Sequence, residues 1–263
     1  MLKKINTCLA TSFIAFVLIT SVTLAQSFTP EGPLPVVEAG PVQTDAAACG
    51  EIEITQSASQ ALTGPLIACN ISNIVLQNSY YRAFELSDFG INNDFDICAV
   101  AIGISQAIAP SGSQPLTVNL YISDPDFPNG TLTPIGTTSI QLTDQSFAIA
   151  TIPVAGIAPA GSELVVEIFV PNGQAAGNTF FFGTNDDGQT GPSYIEAPDC
   201  GAFTPTPLSS VGFPPTGYVM NVIGDESLPE RNVPTLSEWG LIAMAGILGI
   251  AGFMVIRRRK ATA

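Results

Sequence analysis

Apolar side chains recur along this chain in short runs separated by turn signals, at 80–86, 97–104, 116–122, 135–142, 147–154, 164–170, 179–183 and 218–223. Runs of this length, alternating or continuously apolar and rich in β-branched and aromatic residues, predict β-strands. Between them stand Pro128-Asn129-Gly130, Pro171-Asn172-Gly173 and Asp187-Gly188, residues that favour tight turns through a preset φ or tolerance of positive φ. No long amphipathic helical period interrupts the series. The pattern predicts an all-β domain, a single β-sandwich of jelly-roll type, over 49–226. No fixed-period repeat is present, which argues against a propeller or solenoid.

Both ends depart from this pattern. Lys3 and Lys4 precede an apolar run at 8–22, and Thr23-Leu24-Ala25 supplies small residues for a cleavage site. This order reads as a signal peptide, 1–25, cut by signal peptidase between Ala25 and Gln26. Thr11, Ser12, Thr20 and Ser21 break the run, which is also short for a permanent membrane anchor of ~20 residues. Residues 26–48 are rich in Pro, Gly and Ala and read as a linker, and a second linker occupies 227–232.

Setting the ends aside changes the charge. Residues 26–232 hold 21 acidic side chains and only two bases, Arg82 and Arg231, a net of −19. A field of that sign repels nucleic acid, which is excluded as a partner, and attracts cations. Loss of Cys8 with the signal leaves Cys49, Cys69, Cys98 and Cys200, an even set in an oxidising compartment, so two disulfides are expected. Four cysteines permit three pairings; the simplest joins Cys49 to Cys69 and Cys98 to Cys200.

The C-terminal segment, 233–263, reads Val233-Pro234-Thr235-Leu236-Ser237-Glu238-Trp239-Gly240, then 240–256 without a charge, then Arg257-Arg258-Arg259-Lys260. Seventeen residues span about 26 Å as a helix, enough for a thin bilayer, and the basic end holds that side in the cytoplasm. Taken alone this is a single-pass anchor. With the Pro-Thr-Leu-Ser-Glu-Trp-Gly sequence ahead of it, it resembles the IPTL-CTERM tail, Val233 standing where the family has isoleucine. The resemblance implies that an exosortase-type membrane cysteine protease recognises Pro234, Thr235 and Leu236 with Trp239 and Gly240, then cuts the protein and passes it toward the surface of a Gram-negative envelope.

A looser resemblance runs through Asn78-Ser79-Tyr80-Tyr81-Arg82-Ala83-Phe84, Asp96-Ile97-Cys98-Ala99-Val100, Pro115-Leu116-Thr117-Val118 and Pro159-Ala160-Gly161-Ser162-Glu163-Leu164. These segments are similar to an uncharacterised β-sandwich module of secreted bacterial proteins, which implies architecture rather than ligand.

The chain contains no histidine, so Ser-His-Asp and Cys-His nucleophilic arrangements are excluded. Glu163 and Glu167 share a strand face, but about 13 Å along a strand is too wide for either glycosidase geometry, and they read as a solvated acidic face. Candidate calcium ligands cluster in turns at Asp94 and Asp96, at Asp124 and Asp126, and at Asp186 and Asp187. Asp and Asn also favour turns for local hydrogen-bonding reasons. Arg82, set among Tyr80, Tyr81 and Phe84, reads as one half of a salt bridge before it reads as a ligand group; Tyr81 and Tyr121 read equally as binding platforms or ordinary strand residues.

The sequence reads as an exported protein, held in the inner membrane and then released to the cell surface. Its domain is expected to be a non-enzymatic module for adhesion, matrix assembly or contact with surface polysaccharide. The rivals are a secreted hydrolase working with carboxylates alone and a passive matrix component.

Overall fold

The alternating runs fold as strands. A computed structural model describes residues 27–28, 40–42, 49–110, 112–213, 215–227 and 238–260. In chain order the strands are β1 (Ser27–Phe28), β2 (Gly40–Val42), β3 (Ile52–Thr55), β4 (Cys69–Ile71), β5 (Ile74–Val75) and β6 (Asn78–Glu85). The long central strands follow: β7 (Phe95–Ile108), β8 (Gln114–Asp124), β9 (Thr131–Leu142), β10 (Gln145–Ala158) and β11 (Glu163–Val170). The last group is β12 (Thr179–Phe182), β13 (Thr184–Asn185), β14 (Ser193–Ala197), β15 (Ala202–Pro207), β16 (Gly217–Tyr218) and β17 (Met220–Glu226), before one helix, α1 (Glu238–Lys260).

All eight apolar runs fall on strands, three of them overrunning a strand end by one residue at Leu86, Gly183 and Val219, and the all-β class holds. The expectation of a single jelly-roll sandwich does not, because among the described residues the strands divide into four sheets. Two have six strands: one in the order β2-β10-β7-β17-β3 with β12 also on β7, the other β15-β14-β6-β11-β8-β9; β1-β4-β5 and β13-β16 form two small sheets. Within the first large sheet, β7 is longer than any one partner on its second edge, so two strands share that edge. β17 pairs with its first part, Phe95 to Ile102, and β12 with its last, Ile104 to Ile108. At the junction Gly103 receives a hydrogen bond from Gly183 (2.8 Å) and gives one to Val219 (2.8 Å). A Cβ on Gly183 would come within 2.5 Å of the Gly103 backbone, so this crossing needs glycine.

The two large sheets share one core. Val100, Ile102 and Val222 from the first pack in a single buried cluster with Phe84, Val166 and Leu120 from the second. The chain passes between sheets at Thr143-Asp144, linking β9 to β10. The open edges carry prolines, Pro134 on β9 and Pro205 and Pro207 on β15, which lack the N–H a further strand would use.

The disulfides pair differently from the simplest expectation. Cys49 bonds Cys98 and Cys69 bonds Cys200, each with a Cα–Cα distance of 5.9 Å. Neighbours in sequence are not neighbours here: Cys98 lies on β7, two strands from β3, just ahead of which Cys49 sits, whereas Cys69 is on β4 in a small sheet. The closed loops span 49 and 131 residues, worth about 4 and about 5 kcal/mol of denatured-chain entropy.

The segment expected to be a linker, 26–48, supplies β1, which pairs with β4, and β2, which pairs in parallel with β10. The signal segment, Ala25 and Gln26, and residues 228–232 of the second linker lie outside the described residues.

Candidate functional site

Strand alternation places Ser79 and Tyr81 of β6, Glu167 of β11 and Asn119 and Tyr121 of β8 on the outer face of the second large sheet. Tyr81 and Asn119 stand directly opposite Glu167 on either side. The Glu167 side chain is saturated. Its Oε1 accepts from Ser79 Oγ at 2.6 Å and Tyr81 OH at 3.0 Å, and its Oε2 from Asn119 Nδ2 at 2.9 Å and Tyr121 OH at 2.8 Å. Phe127, from the turn after β8, packs against Tyr81 (5.4 Å between centroids) and edge-on against Tyr194 (4.9 Å), closing one side. Glu167 is therefore only 8% exposed, and the expected solvated acidic face is corrected: the carboxylate is buried beneath hydroxyls. Burial, with the Glu167 charge behind it, pushes the Tyr81 and Tyr121 hydroxyls well above their ordinary range.

Arg82 occupies the other face of β6 and is fully buried. The expected salt bridge is absent from its contacts. Nε donates to Ser193 Oγ at 3.1 Å, Nη2 to Gln189 Oε1 at 2.6 Å and Nη1 to Gln56 Oε1 at 3.4 Å. Burial pulls the guanidinium down to about 10, so it keeps its charge at neutral pH. Its partners come from sequence positions 26 to 111 residues away, and no local pattern announces them.

A second cluster lies at one end of the outer face. Glu85, Asp124, Asp126 and Glu163 line a cleft of about 300 Å³. Burial raises Glu163, the Phe127 N–H bonded to its Oε2 at 2.6 Å lowers it, and the charges of Asp126 and Glu85 raise it again, with a net upward shift. Among the remaining calcium candidates, Asp94 accepts from Ala160 N at 3.0 Å, Asp186 from Thr216 Oγ1 at 2.6 Å, and Asp187 from Ser59 Oγ. Asp96 is exposed on β7 opposite Asp225. Among the described residues no group of three or more acidic or cysteine side chains is placed to hold a metal. Asp94, Asp186 and Asp187 thus brace neighbouring loops, and calcium is not shown.

The C-terminal feature is of a different kind. Glu238, Trp239 and Gly240 form the first turn of α1, which runs on through Arg257, Arg258, Arg259 and Lys260; Val233 to Ser237 lie outside the described residues. Eight large apolar side chains of α1, from Leu241 to Met254, are each more than half exposed. Residues 233–260 carry the IPTL-CTERM motif. The IPTL-CTERM match covers the tail and none of the β-domain. Among the described residues no helix is long and apolar enough to cross a membrane. The expected span over 240–256 therefore rests on the sequence.

A search of curated proteins found no match. Among solved structures the chain is similar, at 12% identity and a TM-score of 0.42, to the cysteine protease and lectin-like domains of Cwp84, a surface layer associated protein of Clostridium difficile. That likeness covers 63% of this chain and 38% of the other. It is too distant to bear on function.

Proposed function

We propose that this protein is exported, parked in the inner membrane by α1 and released to the cell surface by an exosortase-type enzyme that cuts within Val233 to Gly240. The observation that carries this reading is the IPTL-CTERM match at 233–260. The uncharged stretch 240–256 spans about 26 Å, somewhat less than a ~30 Å hydrocarbon core, and eight of its large apolar side chains are more than half exposed among the described residues. Four bases at its end hold that side in the cytoplasm. In this reading signal peptidase removes 1–25 during export.

The β-domain serves as a non-enzymatic module for adhesion or glycan contact. Its most enclosed carboxylate, Glu167, has both oxygens occupied by four donors and is unavailable for acid–base work. Strands β8 and β9 instead present a neutral strip in which Thr117 bonds Ser139 (2.8 Å) and Thr137 bonds Asn119 (2.6 Å). Uncharged hydroxyls and amides suit a polyol partner.

Mass spectrometry of surface-exposed protein tests the sorting step. The mature chain is expected to end between Val233 and Glu238, and alanines at Pro234, Thr235 and Leu236 should leave the tailed form in the inner membrane. An intact Ala263 at the surface would make the tail a plain anchor.

One observation favours a second reading. The upward shift of Glu163 among three other carboxylates in an open cleft is the setting of a general acid. Turnover on a glycosidase substrate panel, abolished by Glu163→Gln, would establish a carboxylate hydrolase in place of the binding module.

A further inference from the structure

One aromatic ring on the outer face of the second large sheet has no aromatic partner. Leu164, Val166, Ile168 and Val170 give β11 its core side, so alternation turns Phe169 outward, on the same face as Glu167. Tyr81, Phe127 and Tyr194 on this face pack against one another, whereas Phe169 is half-buried and meets no other ring among the described residues. Hydroxyls flank it. Ser79 of β6 and Thr117 of β8 stand directly opposite Phe169, and the exposed Ser139 of β9 stands opposite Thr117. Ser79, Phe169, Thr117 and Ser139 thus form one row across four neighbouring strands, about 14 Å long at the usual strand spacing. Hydrogen bonds fix the side chains around the ring: Ser79 is tied to Glu167, Thr117 to Ser139 at 2.8 Å, and Asn119, one row over, to both Glu167 and Thr137. A hydroxyl pair shares a single proton and keeps a further donor and lone pairs for a ligand. β9 carries no charged residue and β8 only Asp124 at its end, while at the far end of the row Glu196 of β14 stands opposite Ser79 and accepts from Tyr81 OH at 3.3 Å.

We propose that this row is a stacking platform for an uncharged polysaccharide, with the Phe169 ring against the C–H face of one sugar and Thr117 and Ser139 bonding hydroxyls of that sugar or the next. The inference rests on the glycan-binding reading of the β-domain and specifies which side chain carries the binding and what class of glycan it takes. A sugar ring is apolar on its C–H face and polar at its rim, the same arrangement as an aromatic ring set among hydroxyls. Side chains already held by hydrogen bonds lose little freedom when the ligand arrives. Charge selects the class. A polyanion approaches a domain of net −19 against the field and meets Glu196 at the end of the row, whereas a neutral chain meets no such obstacle.

The test measures binding of the full-length chain, in a detergent without a sugar headgroup, to neutral polysaccharides (dextran, mannan, galactan) and to acidic ones (alginate, polygalacturonate). A neutral polymer is expected to bind. Phe169→Leu, which keeps an apolar side chain and removes the ring, should weaken that binding about tenfold, the upper end of what one aromatic contact contributes. Phe169→Tyr should keep it, which a merely structural role for the ring would not require. Ser139→Val, at an exposed strand position, should weaken it about threefold by removing one hydroxyl. Thermal melting checks that each variant folds. Neutral binding that survives Phe169→Leu, or that is lost equally in Phe169→Tyr, would overturn the platform and leave the glycan-binding reading intact; should Phe169→Leu fail to fold, unchanged binding in Ser139→Val overturns it in the same way. Binding confined to the acidic polymers would overturn the neutral class. No binding to any polymer by the wild type would remove the glycan-binding reading itself.

Discussion

Arg82 and Glu167 are buried charges of opposite sign on neighbouring strands, and they never meet. In the pairing of β6 with β11, Arg82 stands opposite Val166 and Glu167 opposite Tyr81, one step out of register. With side chains alternating at period two, that step sends the arginine into the shared core and the glutamate to the outer face. Each is then satisfied separately, Arg82 by two glutamines and a serine, Glu167 by two tyrosines, a serine and an asparagine. Hydrogen bonds to neutral groups, without an ion pair, hold each charge inside this sheet protein. It also separates tasks. The inner network joins β6 to β14 and to distant loops, while the outer one stiffens the face that carries the neutral strip.

The sharpest way to break the comparison is to empty the inner site. Arg82→Ala should cost about 4 kcal/mol, because it leaves a cavity and strands Gln56, Gln189 and Ser193 in the core. Urea unfolding measures it, and a cost below about 1 kcal/mol would mean that the inner network does not hold β6 to β14 and the loops around it.

On the outer face Glu167→Leu should cost less, about 3 kcal/mol, since the four orphaned donors lie nearer to solvent. Combined with Arg82→Ala it should be additive within about 0.5 kcal/mol, as the two networks share no partner. Strong coupling in that double-mutant cycle would show the two faces acting as one unit.

The smallest effect separates the faces by pH. The hydroxyls of all five tyrosines are shifted upward, burial being the first cause in each. The native state therefore keeps protons that the unfolded chain releases near pH 10. The stabilisation this gives is complete below pH 10 and is lost as the pH rises toward the raised values. Absorbance at 295 nm should show no tyrosinate in the folded wild type at pH 10, and all five should appear together on alkaline unfolding. In Glu167→Leu, Tyr121 should titrate earlier than in the wild type while Tyr80 and Tyr218, on the inner face, remain silent. Early titration of Tyr218 instead would place the disturbance in the core.

Strand positions and the sorting motif follow from local sequence. Alternation is a local property, so all eight apolar runs became strands, and the turn residues at 128–130, 171–173 and 187–188 fall between strands. The tail motif is linear and was legible for the same reason. Short strands with weaker alternation, β3, β14 and β15, were not, because pairing with a longer neighbour, not their own composition, makes them strands. Tertiary structure alone decided how the strands divide into sheets, which cysteines pair and where each charge goes. Cys49 reaches Cys98, and Arg82 reaches Gln189, across separations of 49 and 107 residues that leave no local trace. Even Glu167, which looks solvated on its strand, is buried by partners on two other strands and by a turn that folds Phe127 over one side. Period two says which residues share a face, but only the register between strands says what stands opposite them.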